Sequence, residues 1–313
     1  MPKIAFLFPG QGSQYIGMGQ DMCENFPELN SFFHKAEQCL KMDLQELCFK
    51  GPENDLKRTS NTQPALLTIS IMCYEKLREL GVIPDFFAGH SLGEYSALVA
   101  AGSLSFAEAI LLVRQRGMLM EKAYPLGAGT MVAVLGLNRK IIEEVCSEVS
   151  DLGFVQIANY NCPGQIVLAG EKIAMEKLKG LLKEAGARKV IELAVSGPFH
   201  SKLMEKAAKD FALCLEKVSV SEPSIPVISN VTADYLKDGS EIKNLLVNQI
   251  YSPVRWEESL QKLYQDGAEI FIEVGPGKVL SGLVRKTLKD VMTLHVEDTT
   301  SLENTITKLK ECI

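Results

Sequence analysis

The strongest constraint on how this chain can fold is a change of rhythm between residues 128 and 196. Upstream of it, a continuous apolar run at 4–8 meets Gly10-Gln11-Gly12-Ser13-Gln14, which reads as a buried strand feeding a tight loop. A helix is predicted over 64–80, with Pro64 at the favoured first position and Gly81 closing it. A second buried strand follows at 85–88, then a helix at 92–101 stopped by Gly102. Strand, turn and helix alternate, and that order specifies an α/β architecture with a mostly parallel sheet. Pro125-Leu126-Gly127-Ala128-Gly129 interrupts the alternation. Beyond it the pattern predicts strand 131–135, helix 139–149, strands 154–160 and 165–169, helix 173–185 and strand 189–193. That βαββαβ order is the ferredoxin-like signature, so 128–196 is expected to form an inserted small subdomain. After Ser196-Gly197-Pro198 the earlier pattern resumes, with short strands near 226–229, 270–274 and 292–296. The large domain is therefore expected to be discontinuous, over 1–127 and 197–313.

Composition removes several classes of protein. With 313 residues, the chain has room for about two compact units at roughly 150 residues each. Hydrophobic residues are 46% and charged residues 23%, which excludes collagen, a disordered chain and a heptad-dominated coiled coil. The net charge of −6 gives no overall positive field for nucleic acid or an anionic membrane, so neither partner is expected. Eight cysteines form no C-x-x-C and no Cys/His cluster, which predicts free thiols in a reducing compartment and no metal site. The apolar run at 4–8 is too short for a signal-peptide core, and no stretch reaches the ~18 apolar residues of a membrane span. The expected location is the cytoplasm.

Gly89-His90-Ser91-Leu92-Gly93 matches G-x-S-x-G, a pattern that random placement would produce in such a chain about one time in eight. Its context strengthens it, because a buried strand precedes Ser91 and a helix begins at Leu92. A nucleophilic serine on so sharp a turn needs glycine on both sides, and the helix N-terminus aims N–H groups at a developing oxyanion. The alternative is a structural turn serine. A serine nucleophile needs a base, and only His34, His90, His200 and His295 are available. His90 adjoins Ser91 and should point to the opposite face, while His34 and His295 sit where structural histidines are common. His200, in Gly197-Pro198-Phe199-His200, lies where the chain re-enters the large domain, and loops at such crossings hold catalytic groups. No acidic third member stands out, so a backbone carbonyl and a carboxylate are equal candidates for orienting the base.

Ser105 and Glu108 form a capping box that opens a helix to about residue 123. On it Phe106, Ala109, Leu112, Val113, Gly117 and Met120 form one stripe, and Arg116 projects into its middle. An arginine there cannot shed its proton and must find an anion. Either a structural acid pairs with it, or its planar fork awaits a substrate carboxylate. The Gly10–Gln14 loop is no dinucleotide fingerprint, because Tyr15 occupies the third glycine position; a loop presenting backbone N–H groups through Gln11 fits better. Gly275-Pro276-Gly277-Lys278 lacks P-loop spacing and reads as a turn. On the helix after it, Lys278, Arg285 and Lys289 align with Lys286 beside them, either as a solvated face or as a docking patch for an acidic protein.

Taken together, FPGQGSQ, GHSLGEYSAL around Ser91, RQRGMLM around Arg116, GPFHS around His200, NQIYSPVRW around Gln249 and EVGPGKVLSGL resemble the malonyl-CoA:acyl-carrier-protein transacylases, in order and over almost the whole chain. The resemblance implies an α/β-hydrolase-like large domain with a ferredoxin-like small one. It implies Ser91 as nucleophile, His200 as base, the Gln249 carbonyl as its orienter, the Gln11 and Leu92 N–H groups as oxyanion hole and Arg116 as the malonyl carboxylate's partner. Gln249, Met120 and Phe199 join Arg116 in the substrate-binding set, with Phe199 disfavouring an α-methyl group. Malonyl-CoA and acyl carrier protein are the implied partners, in fatty acid synthesis, with no cofactor and a free-standing, monomeric enzyme expected. A thioesterase, a polyketide-type acyltransferase of other specificity and a silent carrier-binding scaffold are the competing readings.

Overall fold

The computed structural model describes residues 2–125 and 127–311, so Leu126 of the expected break and Cys312 of the thiol set lie outside the described residues. The strands, in chain order, are β1 (Lys3–Phe8), β2 (Phe86–Gly89), β3 (Gly129–Leu135), β4 (Val155–Cys162), β5 (Gln165–Glu171), β6 (Lys189–Glu192), β7 (Ala268–Val274) and β8 (Met292–Val296). They form two sheets. The first, ordered β2-β1-β7-β8, is parallel throughout. The second, ordered β4-β5-β3-β6, is antiparallel and has the strand order of a ferredoxin-like βαββαβ unit. No described helix is long and apolar enough to cross a membrane.

The unbroken apolar run of β1 follows from its place inside the parallel sheet, where both faces are covered. Phe6 and Phe8 enter the core with Tyr74 and Phe87, while Ala5 and Leu7 face a second cluster around Trp256 and Phe271. One face of the antiparallel sheet, with Met131, Ala133, Val167 and Ala169, packs onto the main core. Its other face, with Val132, Val134 and Leu168, is covered by the Arg139–Ser147 and Lys172–Glu184 helices.

Two expected elements differ from the sequence reading. The long helix runs Thr59–Glu79, so Pro64 lies inside it rather than at its start. Proline has no N–H for the carbonyl four residues back. Here that carbonyl, Ser60 O, instead accepts from Arg114 Nη1 at 2.8 Å, which lets the helix continue through Pro64. Arg114 also bonds Asn61, and Ser60 N donates to Glu121, so the face opposite the stripe is engaged as well. Residues 226–229 do not make a full strand. Val227 bridges Phe87 and Ile228 bridges Tyr235, because the chain doubles back at once through Ala233 N to Ser229 O and Leu236 N to Val227 O.

The β2 elbow has no space to spare. A Cβ on Gly89 would lie 1.9 Å from the carbonyl carbon of Gly93, and one on Gly93 would lie 2.0 Å from Phe8 O. Both glycines are thus required by the close approach of β1, β2 and the Gly93–Ala100 helix, the steric demand anticipated from the motif. Gly180, in the exposed middle of the Lys172–Glu184 helix, has nothing within 4 Å of the same position. Gly93→Ala should lower unfolding free energy by about 3 kcal/mol or more through overpacking. Gly180→Ala should raise it by roughly 0.5–1 kcal/mol. Urea unfolding of the two variants checks the pair, and a stable Gly93→Ala protein would refute the packing argument.

Candidate active site

A cavity of about 400 Å³ lies between the two sheets, lined among others by Gln11, Ser91, Arg116, Met120, Phe199 and His200. Ser91 sits on the elbow with φ 51°, the left-handed region that a non-glycine residue adopts only under constraint. His200 also has positive φ, 58°, and its N–H donates to Ile250 O at 3.2 Å. The two side chains meet, with Ser91 Oγ 2.7 Å from His200 Nε2. His200 Nδ1 lies 2.8 Å from the backbone carbonyl of Gln249. A carbonyl only accepts, so Nδ1 carries the proton and Nε2 is left as the acceptor for the serine hydroxyl. The orienting group is thus a main-chain carbonyl, which decides between the two options the sequence left open.

His200 is buried, and its pKa is held down to about 3, first by burial and then by the Arg116 charge, against the supporting bond to Gln249. The imidazole is therefore neutral and able to accept a proton throughout the physiological range.

Arg116 is 1% exposed. Nη1 donates to Gln63 Oε1 at 2.9 Å, and Nη2 donates to Gln249 Oε1 at 2.8 Å and to Ser91 Oγ at 3.2 Å. Its guanidinium faces the Tyr95 ring at 5.3 Å, while Nε has no partner. All of these partners are neutral. Among the described residues no carboxylate makes an ion pair with it, so the reading in which a structural acid pairs with Arg116 is not what the fold contains. Burial draws its pKa down, but an arginine starts so high that the group stays charged. Glu94 is the carboxylate whose charge acts on Arg116. It is wholly buried, and burial raises its pKa to about 7 against hydrogen bonds from Gln249 and Asn230.

Gln11 and Leu92 line the same cavity, and among the described residues no acceptor takes the backbone N–H of either. Two free donors at a cavity wall suit a developing oxyanion. Phe199 and Met120, 4% and 2% exposed, supply apolar wall beside them. His90 is closer to the site than expected. It lines the cavity, but its Nε2 sits 2.9 Å from Asn161 Oδ1 and its ring packs edge-on against Trp256, so it is not bonded to Ser91. His34 is exposed on a helix, and His295 lies 3.9 Å from Glu297.

The proposed basic stripe is altered. Lys278, Arg285, Lys286 and Lys289 are all exposed, but the helix is Val279–Thr287, leaving Lys278 just before it and Lys289 past its end. Leu288 turns extended and buries its side chain, which ends the helical alignment before Lys289. The residues the sequence reading missed are Gln63, Glu94 and Asn230, all buried polar groups around Ser91 and Arg116. Glu94 had one visible signal, an acid three residues after the serine at a helix start, but acids are common there for dipole reasons alone.

An alcohol bonded to a neutral imidazole beside free N–H donors is an arrangement suited to acyl transfer, and it stands here on an α/β fold with one parallel and one smaller antiparallel sheet. The family model described as the acyl transferase domain matches residues 5–309. The chain is 50% identical over 312 residues to the malonyl CoA-acyl carrier protein transacylase of Bacillus subtilis, covering 99% of this chain and 98% of that one. Its fold is similar to the solved malonyl CoA-acyl carrier protein transacylase of Clostridium perfringens, with TM-score 0.95, 42% identity and coverage of 99% and 98%. It is also similar, at TM-score 0.96, 41% identity and coverage of 98% and 99%, to a malonyl-transacylase solved in complex with a type II polyketide synthase acyl-carrier protein. The chain belongs to the malonyl CoA-acyl carrier protein transacylase family.

The depressed His200 pKa makes a pH prediction. The unfolded chain takes up a proton below the ordinary histidine value of about 6.5, while folded His200 does so only near 3. Its contribution to stability is therefore full above 6.5 and shrinks as pH falls towards 3. Labelling of Ser91 by a neutral fluorophosphonate should show no inflection near pH 6.5, although the urea midpoint declines over the same interval. An inflection at 6.5 would mean that the imidazole titrates as in water.

Proposed function

We propose that this protein moves a malonyl group from malonyl-CoA to the phosphopantetheine thiol of an acyl carrier protein, through an ester on Ser91, as a step of fatty acid synthesis. The observation that carries this reading is the Arg116 guanidinium, buried and paired only with neutral groups, 3.2 Å from the Ser91 oxygen. An acyl group on that oxygen whose far end is a carboxylate two carbon–carbon bonds away supplies the anion the site lacks. The charge also fixes the acyl chain, so the thioester carbonyl is presented in one orientation.

In the first half-reaction His200 Nε2 takes the Ser91 proton as Oγ attacks the thioester carbonyl of malonyl-CoA. The oxyanion lies towards the N–H groups of Gln11 and Leu92. The carbon–sulfur bond breaks, CoA leaves with the proton from His200, and the malonyl ester remains. The carrier thiol then gives its proton to His200 and attacks the ester, which releases Ser91 with that proton. Each step moves an acyl group and a proton, both of which serine and imidazole carry, so we propose no cofactor.

Val279, Leu280 and Leu283 of the Val279–Thr287 helix line the cavity, so the exposed Arg285 and Lys286 on the same helix, with Lys278 and Lys289 flanking it, form our candidate surface for the acidic carrier. The seven described cysteines are unpaired, which supports a reducing compartment, and we place the protein in the cytoplasm.

Intact-protein mass spectrometry after malonyl-CoA alone should show one malonyl adduct, absent from Ser91→Ala, with a stoichiometric burst of CoA that then stalls. Steady CoA release would identify a hydrolase instead. Arg116→Ala should cut malonyl loading by about 100-fold or more while sparing acetyl loading, the loss expected for a buried charge-assisted pair. Equal losses for both acyl groups would remove Arg116 from substrate recognition. Reversing Arg285, Lys286 and Lys289 to Glu should raise the KM for carrier protein and leave CoA-dependent loading intact. An unchanged KM would reject that surface.

A further inference from the structure

One buried carboxylate has no part in the steps above. Glu94 stands at the start of the Gly93–Ala100 helix and is 0% exposed. Its Oε2 accepts from Gln249 Nε2 at 2.7 Å and from Asn230 N at 3.0 Å. Both of those residues grip the nucleophile turn. Asn230 Oδ1 accepts from Ser91 N at 2.6 Å, and Asn230 Nδ2 donates to Gly89 O at 2.7 Å. Gln249 Nε2 also reaches Ser91 O at 3.1 Å. Gln249 then faces the chemistry twice, through its backbone carbonyl to His200 Nδ1 and through Oε1 to Arg116 Nη2.

A side-chain amide has two ends of nearly equal shape, and its neighbours decide which way it points. Arg116 has only donors to offer, and Glu94, once ionised above about pH 7, only acceptors. Between them Gln249 has one good orientation, Nε2 to the carboxylate and Oε1 to the guanidinium. The reverse would set N–H against N–H and oxygen against oxygen. A carboxylate buried without a cation is unfavourable, and among the described residues Glu94 forms no ion pair and its Oε1 has no partner. A well-packed apolar residue would hold the helix at lower cost, whereas orienting an amide requires a group that only accepts.

We propose that Glu94 is a positioning residue: by dictating the direction of the Gln249 amide it holds the Arg116 fork on the acyl end of Ser91, and so sets the preference for acyl groups that end in a carboxylate. This rests on the reading of Arg116 as the carboxylate's partner.

The test compares single-turnover loading of Ser91 from malonyl-CoA and acetyl-CoA by intact-protein mass spectrometry, in wild type, Glu94→Gln, Glu94→Asp and Arg116→Ala, with melting temperatures alongside. Glutamine at 94 can donate or accept, so the 2.7 Å carboxylate bond no longer enforces the Gln249 orientation and only the longer bond to Ser91 O and the bond from Arg116 still favour it. Glu94→Gln should lower malonyl loading by about tenfold or more and acetyl loading by less than about threefold, the scale on which partners of binding groups act. Glu94→Asp, still acceptor-only, should keep the ratio closer to wild type. An equal fall for both substrates, or no fall in either, overturns the proposal. If Arg116→Ala shifts the ratio and Glu94→Gln does not, only the role of Glu94 fails; if Arg116→Ala leaves the ratio unchanged, the reading of Arg116 fails and this proposal with it. Should Glu94→Gln not fold, Gln249→Met deletes the same amide and keeps the main-chain carbonyl, and the same ratio decides.

Discussion

A guanidinium that is 1% exposed, and that no carboxylate among the described residues meets in an ion pair, stands at the centre of this site. Arg116 is held by two amide oxygens and by the Ser91 hydroxyl, so the fold places a positive charge among neutral hydrogen-bond partners beside the cavity. That charge also helps keep His200 unprotonated. In the proposed reaction one group would thus serve two tasks, keeping the imidazole neutral and meeting the acyl end. The stripe of the Phe106–Lys122 helix that carries it is apolar, and Gly117 lets that helix approach the Thr59–Glu79 helix so closely that a Cβ would lie 2.6 Å from Ser60 Cα.

The nucleophile is held in place by backbone more than by side chains. Ser91 and His200 both occupy the left-handed region, where strain of order 1–3 kcal/mol each has to be balanced elsewhere. Gly89 and Gly93 allow the close approach that does so, and Asn230 clamps the turn from the far side through Ser91 N and Gly89 O. The parallel sheet brings the elbow and the Gly10–Gln14 loop side by side, since β1 and β2 are neighbours and both end at the cavity.

How much of this could be read from the sequence depended on range. The βαββαβ rhythm and the G-x-S-x-G elbow are local patterns, and both strand order and steric crowding agree with them. His200 was reached by elimination, because four histidines left few choices. The burial of Arg116 was legible from helical spacing, but the neutrality of its partners was not, since Gln63 and Gln249 lie 53 and 133 residues from it in the chain. Glu94 and Asn230 stayed hidden for the same reason, as polar residues whose meaning depends on contacts 136 to 155 residues away. Pro64 misled in the opposite sense. Its local preference for a helix start yielded to a tertiary bond, from Arg114 to Ser60, that no local pattern contains. Lys289 failed where the helix ended earlier than its periodicity suggested.

The imidazole's dependence on a peptide oxygen has a corollary. A main-chain acceptor is supplied by whichever amino acid occupies position 249, so exchange of that side chain would alter the hold on Arg116 while leaving the acceptor for His200 Nδ1 in place.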